Sequence, residues 1–136
     1  NSVDAFYELL QAEDGGFIAY GNSSSTDIEG LPNKGTDDAI IVKYNKDGGR
    51  VDVQINRIGE ECIVKIEDTG IGIPKADLSR VFERFYRVDK SHSKATGGTG
   101  LGLSIVKHAV SYLDGSIDIE STENVGTRII LKFFAI

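Results

Sequence analysis

The stretch A-I-I-V-K-Y-N-K-D-G-G-R-V-D-V-Q-I, Ala39 to Ile55, decides the fold, because Lys43-Tyr44 can close a helix or end a strand. Three consecutive β-branched residues, Ile40, Ile41 and Val42, precede the pair; such side chains restrict χ1 in a helix but pack well on a pleated surface. Asp47-Gly48 follows, a signal for the tight turn that joins two antiparallel strands. Beyond it Val51, Val53 and Ile55 alternate with Asp52, Gln54 and Asn56. The stretch therefore reads as a strand from Ile40 to Tyr44, paired through a turn at Asn45 to Gly49 with a strand from Arg50 to Asn56.

The periods downstream are clear. After Ile58-Gly59-Glu60, the run from Cys62 to Glu67 alternates again and makes a second hairpin. Leu78, Val81, Phe82, Phe85 and Tyr86 recur at helical spacing across 75–88, with Pro74 at a favourable helix start. Leu103, Val106, Val110 and Leu113 repeat that spacing up to Gly115, which is expected as the C-cap. Ile117 and Ile119, then Ile129, Leu131 and Phe133, form a closing hairpin across Ser121 to Gly126. The expected class is α+β: a mostly antiparallel sheet with two helices on one face. Upstream, Ala5 to Leu10 and Phe17 to Tyr20 flank Asp14-Gly15-Gly16 and read as two added N-terminal strands. The polar stretch from Asn22 to Asp38 reads as loop.

Composition narrows the function classes. The 136 residues amount to one domain, long enough to bury a core. Fifteen Lys and Arg against 21 Asp and Glu give a net charge of −6, which argues against a nucleic-acid surface. A single cysteine, Cys62, excludes an internal disulfide and a multi-cysteine metal site, and reads as buried filler. No apolar run has the length of a membrane span and no signal-peptide order opens the chain, so the expected location is cytoplasmic. The absence of Met points to a fragment.

Two glycine-rich segments carry the chemistry. Asp68 to Pro74 reads D-T-G-I-G-I-P, between a strand and an amphipathic segment. Glycines there let the backbone approach a flat ligand, and an aspartate at a strand end can accept a hydrogen bond from an amino group. Gly97 to His108 reads G-G-T-G-L-G-L-S-I-V-K-H, a glycine loop opening a helix whose N-H groups and dipole suit phosphates. Between them, Arg84, Arg87, Lys90 and Lys94 lie in a segment suited to a lid over phosphates. His92 and His108 read as structural.

Together, DTGIGIP, RVFERFYRVD and GTGLGL resemble the first glycine box, the phenylalanine box and the second glycine box of sensor histidine kinase catalytic domains, in the family shared with gyrase, Hsp90 and MutL. The resemblance runs from about Lys43 to Ile136. It implies an ATPase α/β sandwich in which Asp68 accepts the adenine amino group and Gly70 and Gly72 shape the adenine pocket. It also implies that Gly98, Thr99, Gly100, Leu101, Gly102 and Leu103 wrap the phosphates and that Arg87 reaches the terminal one. Lys43 and Tyr44 match the Lys-Tyr pair that ends the family's asparagine box. The box itself departs: Ile40 stands where the family has its magnesium-ligating asparagine and Thr36 where it has another, so no metal ligand is assigned.

Residues 1–45 resemble instead one propeller-like β-repeat of bacterial surface proteins, in which A-I-I-V-K-Y is a strand. The chain reads as a chimera, with 1–45 replacing the kinase's first strand and asparagine-box helix and 46–136 as the C-terminal portion of the catalytic domain. The implied function is weak binding of ATP or ADP with little dependence on magnesium, in a kinase-like chain without its phosphoacceptor helix and with no catalytic residue assigned. The alternative is a non-catalytic folding chimera or β-mediated interaction module without nucleotide binding. The partners expected are adenine nucleotide and further copies of the chain through β-edges, with no nucleic acid and no membrane.

Overall fold

Ile40, Ile41 and Val42 lie in a strand, as their branching favours. The structure, a computed structural model, describes residues 4–23, 38–45, 48–88 and 99–134. Its elements are β1 (Asp4–Gln11), β2 (Phe17–Ser23), β3 (Asp38–Tyr44), β4 (Arg50–Ile58), β5 (Glu61–Asp68), α1 (Gly102–Tyr112), β6 (Ser116–Thr122) and β7 (Gly126–Phe134). They make one seven-stranded sheet in the order β1-β2-β3-β4-β5-β7-β6. Every neighbouring pair is antiparallel. The β3–β4 register sets Tyr44 opposite Arg50 and Ile40 opposite Gln54, as the sequence pattern requires. Of the polar stretch read as loop, residues 24–37 lie outside the described residues.

Strand alternation and register sort the side chains into two faces. One face carries Val51, Val53 and Ile55 from β4, Val64 and Ile66 from β5, and Ile129, Leu131 and Phe133 from β7. Helix α1 lies over β6 on this side. A side chain on Gly115, just past the helix, would come within 2.9 Å of the Phe133 ring and 3.1 Å of Val110. The opposite face of β4–β7 carries ion pairs, among them two within a strand and one between β5 and β7. Arg50 Nε lies 2.7 Å from Asp52, Lys65 Nζ 2.9 Å from Glu67, and Arg128 3.0 Å from Glu67. The apolar side chains with the least exposure are Ala19, Val42, Ile63, Val81 and Val110, so the core is thin and spread along the sheet.

The described residues hold one α-helix, not two. Residues 75–88, expected as a helix, form a chain of tight turns. Four of their hydrogen bonds span three residues, from Asp77 to Pro74, Arg80 to Asp77, Glu83 to Arg80 and Tyr86 to Glu83. Phe85 then takes a φ of +65°, which a right-handed helix excludes. Side chains lock the turns: the Tyr86 hydroxyl donates to Asp77, and the Arg80 guanidinium sits 4.3 Å from the Tyr86 ring centre. Short helices depend on tertiary burial of one face. Here Val81 is buried but Phe85 is exposed, so the expected apolar stripe is buried only in part.

The end of α1 also differs in detail from the expectation. Asp114, not Gly115, holds the left-handed position, with φ +52°, while the Gly115 N–H donates to the Val110 carbonyl. Gly115 is glycine for another reason: its Cβ would lie 2.6 Å from the Lys132 carbonyl oxygen.

Hydrogen bonding from Lys65, opposed by partial burial and reinforced by Arg128, holds the Glu67 carboxyl below its usual range. A carboxylate with a depressed folded pKa adds stability above its unfolded pKa of about 4.3, and that contribution is lost as pH falls through the folded value. The half-exposed geometry limits it to below about 1 kcal/mol. The urea midpoint should therefore fall as pH drops from about 5 toward 2, and Glu67→Gln should flatten part of that slope.

Candidate functional site

Asp68 is the last residue of β5, between Val51 of β4 and Thr127 of β7. Its Oδ1 accepts the Gly70 N–H at 2.8 Å, which closes the turn that follows the strand. The turn is held to β4 by Thr69, whose N–H donates to the Arg50 carbonyl while its Oγ1 accepts the Arg50 N–H. A cavity of about 310 Å3 opens at this end of the sheet, bordered by Asp68, Thr69, Ser121, Thr127 and Arg128.

The glycine segment is shaped largely by the β6–β7 hairpin. Gly72 has φ +68°, and any side chain on it would collide with the Thr122 carbonyl. The Ser121 hydroxyl accepts the Ile73 N–H at 2.8 Å and donates to the Gly126 carbonyl, also 2.8 Å away, with Thr127 Oγ1 2.9 Å from it. Asn124 N–H donates to the Ile71 carbonyl. Gly126, at φ +145°, lets the hairpin press onto the Asp68 backbone, where a Cβ would collide with the Asp68 carbonyl. Sequence reasoning missed Ser121, Thr127 and Gly126; the signal available was Gly126-Thr127 opening the strand that pairs with β5.

The second glycine segment docks elsewhere. Phe85 N–H donates to the Gly100 carbonyl at 2.9 Å, and Gly100, at φ +70°, leaves no room for a side chain against Phe85 and the Tyr86 carbonyl. This puts half-buried Arg87 two residues from the loop's anchor. Leu101 is the N-cap of α1 without a side-chain cap bond, Gly102 and Leu103 open the helix, and the Ser104 hydroxyl turns back to the Leu101 carbonyl. No acidic residue occupies the first turn, so the helix N-terminus offers a positive dipole end without an internal anion. Thr99 begins this described stretch, and Gly98, Lys90, Lys94 and His92 lie outside the described residues.

Lys43 and Tyr44, adjacent in β3, point to opposite faces. Lys43 shares the Asp68 face, with Val51 between them in register. Its ammonium pairs with Asp14 Oδ2, and that bond, with a second from the Gly16 N–H, holds the Asp14 carboxyl below its usual range. Tyr44 lies on the far side, opposite Arg50.

None of Thr99–Leu103 borders the Asp68 cavity. A larger open groove of about 770 Å3 runs along α1, bordered by Arg84, Leu101, Ile105, His108 and Tyr112. It is mostly apolar and no carboxylate among the described residues borders it, so Asp68 and not the larger groove marks the candidate base site.

The sequence profile of the histidine kinase-, DNA gyrase B- and HSP90-like ATPases matches residues 39–135. The chain belongs to this family. It is 46% identical over 90 residues to the sensor histidine kinase WalK of Bacillus subtilis, covering 65% of this chain and 15% of that one. It is likewise 46% identical over 91 residues to the sensor-like histidine kinase SenX3 of Mycolicibacterium smegmatis, covering 67% of this chain and 24% of the relative. The chain thus spans a small part of the curated relatives it matches. Among solved structures, the mycobacterial sensor histidine kinase MprB superposes with a TM-score of 0.55 at 35% identity, over 64% of this chain and 59% of that one. The ThkA catalytic domain follows at 0.51 and 25%, over 63% and 53%. These are similarities to sensor histidine kinases, and they fit an ATPase-type antiparallel sheet with a single described helix. No described helix is long and apolar enough to cross a membrane.

The glycines separate by role. Gly72→Ala should lower Tm by several degrees, because a non-glycine at positive φ costs on the order of 1–3 kcal/mol before the Thr122 collision is added. Gly70→Ala meets only the Asp68 carboxylate, 2.8 Å from the added Cβ. It should leave Tm nearly unchanged while displacing Asp68, which differential scanning calorimetry and nucleotide titration read separately.

Proposed function

We propose that this chain binds an adenine nucleotide weakly, with Asp68 as the acceptor for the adenine amino group. The observation that carries the reading is the placement of Asp68: a strand-end carboxylate fixed by the Gly70 N–H, beside a polar cavity, in a chain of the ATPase family. Gly70 and Gly72 set the turn beneath the base. Gly98 to Leu103 and Arg87 serve the phosphates through backbone N–H groups, the α1 dipole and one cation. Lys43, on the Asp68 face, is the remaining contact; Tyr44, on the opposite face, is left out of the site.

Magnesium has a lesser role in this proposal. The ion needs oxygen ligands, and Ile40, in the position of the family's asparagine, has an apolar side chain and lies in β3. Among the described residues there is no cluster of His, Cys, Asp or Glu suited to a metal. Losing one contact of about 1.4 kcal/mol weakens affinity about tenfold. Three strands also stand where the family has a strand and helix, which supports reading residues 1–45 as a β-repeat joined to a partial catalytic domain. Phosphotransfer is not part of the proposal. Self-association through the β1–β3 segment is, since β1 closes one end of the sheet and pairs only with β2 among the described strands.

The second reading, a folding or interaction module without nucleotide, is favoured by the separation of the Asp68 cavity from the Thr99–Leu103 loop. Calorimetric titration with ADP and ATP, with and without magnesium, decides between them. We expect weak binding that changes little with the metal and is lost in Asp68→Ala. No heat under any condition would favour the second reading; tight, magnesium-dependent binding that survives Asp68→Ala would overturn the site.

A further inference from the structure

β1, β2 and β3 form an outer half of the sheet, and α1 lies over β6, at the opposite end of the strand order. This half has large apolar side chains exposed on both sides. On the side continuous with the ion-pair face, Phe6, Leu9, Phe17 and Tyr44 are 55%, 64%, 44% and 45% exposed, and surround Ala19 and Val42 at 6% each. Each large side chain carries on the order of 200 Å2, so their exposed parts come to roughly 400 Å2, the size of the largest apolar patch on a typical monomer and often a functional one.

We propose that this face binds the same face of a second copy, forming a two-fold β-sandwich across Phe6, Leu9, Phe17 and Tyr44. The proposal rests on the self-association put forward above and names its surface. Three features select a second copy. The patch is uncharged from Phe6 to Tyr44 along the three strands; Asp4 and Asp38 come only at its far end in register. A foreign partner would have no charge to read there, whereas a flat apolar sheet face is complementary to itself, at the spacing of about 10 Å and small crossing angle of aligned sandwiches.

On the β4 margin Arg50 and Asp52 already pair at 2.7 Å within one chain, so that side of the rim brings no unpaired charge to the interface. With Gln11 and Ile40 at its margin, the paired face buries about 1,000 Å2, the floor for a specific interface, so the dimer should be weak and concentration-dependent.

The other side of the same strands is the poorer choice. Glu8 and Lys43 stand there, hydrogen-bonded to Tyr20 and Asp14 in exposed positions, and burying them would strip their water. Pairing at the β1 edge alone would satisfy backbone groups but leave both apolar faces wet.

Sedimentation equilibrium from micromolar to millimolar protein tests the surface. We expect the mass to rise from 14.7 kDa toward twice that value. Leu9→Lys and Phe17→Lys should each weaken association at least tenfold, while Leu10→Lys, on the opposite side and 48% exposed, should leave it unchanged. Far-UV circular dichroism checks that each variant folds. Should a lysine unfold the chain, broadening of the wild-type NMR signals by a soluble paramagnet gives the same answer. Phe6, Leu9 and Phe17 should become shielded at high concentration, and Leu10 and Tyr20 should not. A 14.7 kDa mass at every concentration overturns both this surface and the self-association proposal. Association that survives Leu9→Lys, or shielding of Leu10 and Tyr20 instead, overturns this surface alone.

Discussion

Backbone pairing between β3 and β4 is the contact on which the rest depends. Six register pairs, from Ala39 opposite Ile55 to Tyr44 opposite Arg50, join β1–β3 to the rest of the sheet. Without them, β1–β3 would be a three-stranded ribbon exposed on both faces, and β4 would end the sheet with Val51, Val53 and Ile55 beside an unpaired edge. Burial comes second here. Among the described residues a helix lies over only one end of the sheet, and the side chains with the least exposure are scattered from Ala19 to Val110. A ladder of hydrogen bonds can order such a thin structure, because each added strand satisfies donors and acceptors that would otherwise face solvent.

Alternation made the strands legible. The branched run at Ile40 to Val42, the Val51-Val53-Ile55 period and the Ile129-Leu131-Phe133 period all report a local property, the two-residue repeat of a pleated chain. Helical spacing in 75–88 was equally visible and misled, since what sets that segment is distant: the Phe85 N–H reaches the Gly100 carbonyl, and Phe85 leaves right-handed geometry to do so. The C-cap assignment failed by one residue for a similar reason, since the close approach of Gly115 to β7 cannot be read from α1 alone.

The candidate site divides along the same line. Asp68 and its glycines stand in one short motif, so the carboxylate and its turn were readable together. Ser121, Thr127 and Gly126 reach the site only through the pairing of β5 with β7 and the fold of the β6–β7 hairpin, and carry no motif of their own. The Lys43–Asp14 pair, 29 positions apart, follows from the upstream hairpin and places an acidic partner on the lysine that the resemblance assigned to nucleotide. Motif matching finds what each segment contains, while register decides which side chains meet.

The order of the strands has a kinetic meaning. From β1 to β5 each strand pairs with the next in the chain, through short connections except for the fourteen residues between β2 and β3, so the meander is built from local pairings. The β5–β7 pairing instead joins Glu67 to Arg128 across 61 positions, with α1 and β6 in between. Closing so long a loop costs more entropy than closing a hairpin, and non-local pairing slows a folding reaction. The Asp68 end of the sheet, which needs Gly126 and Thr127 against it, therefore completes late. During that interval the meander is already formed, with the side of β5 meant for β7 bare, and that strand is where a nascent chain is most exposed to wrong pairing.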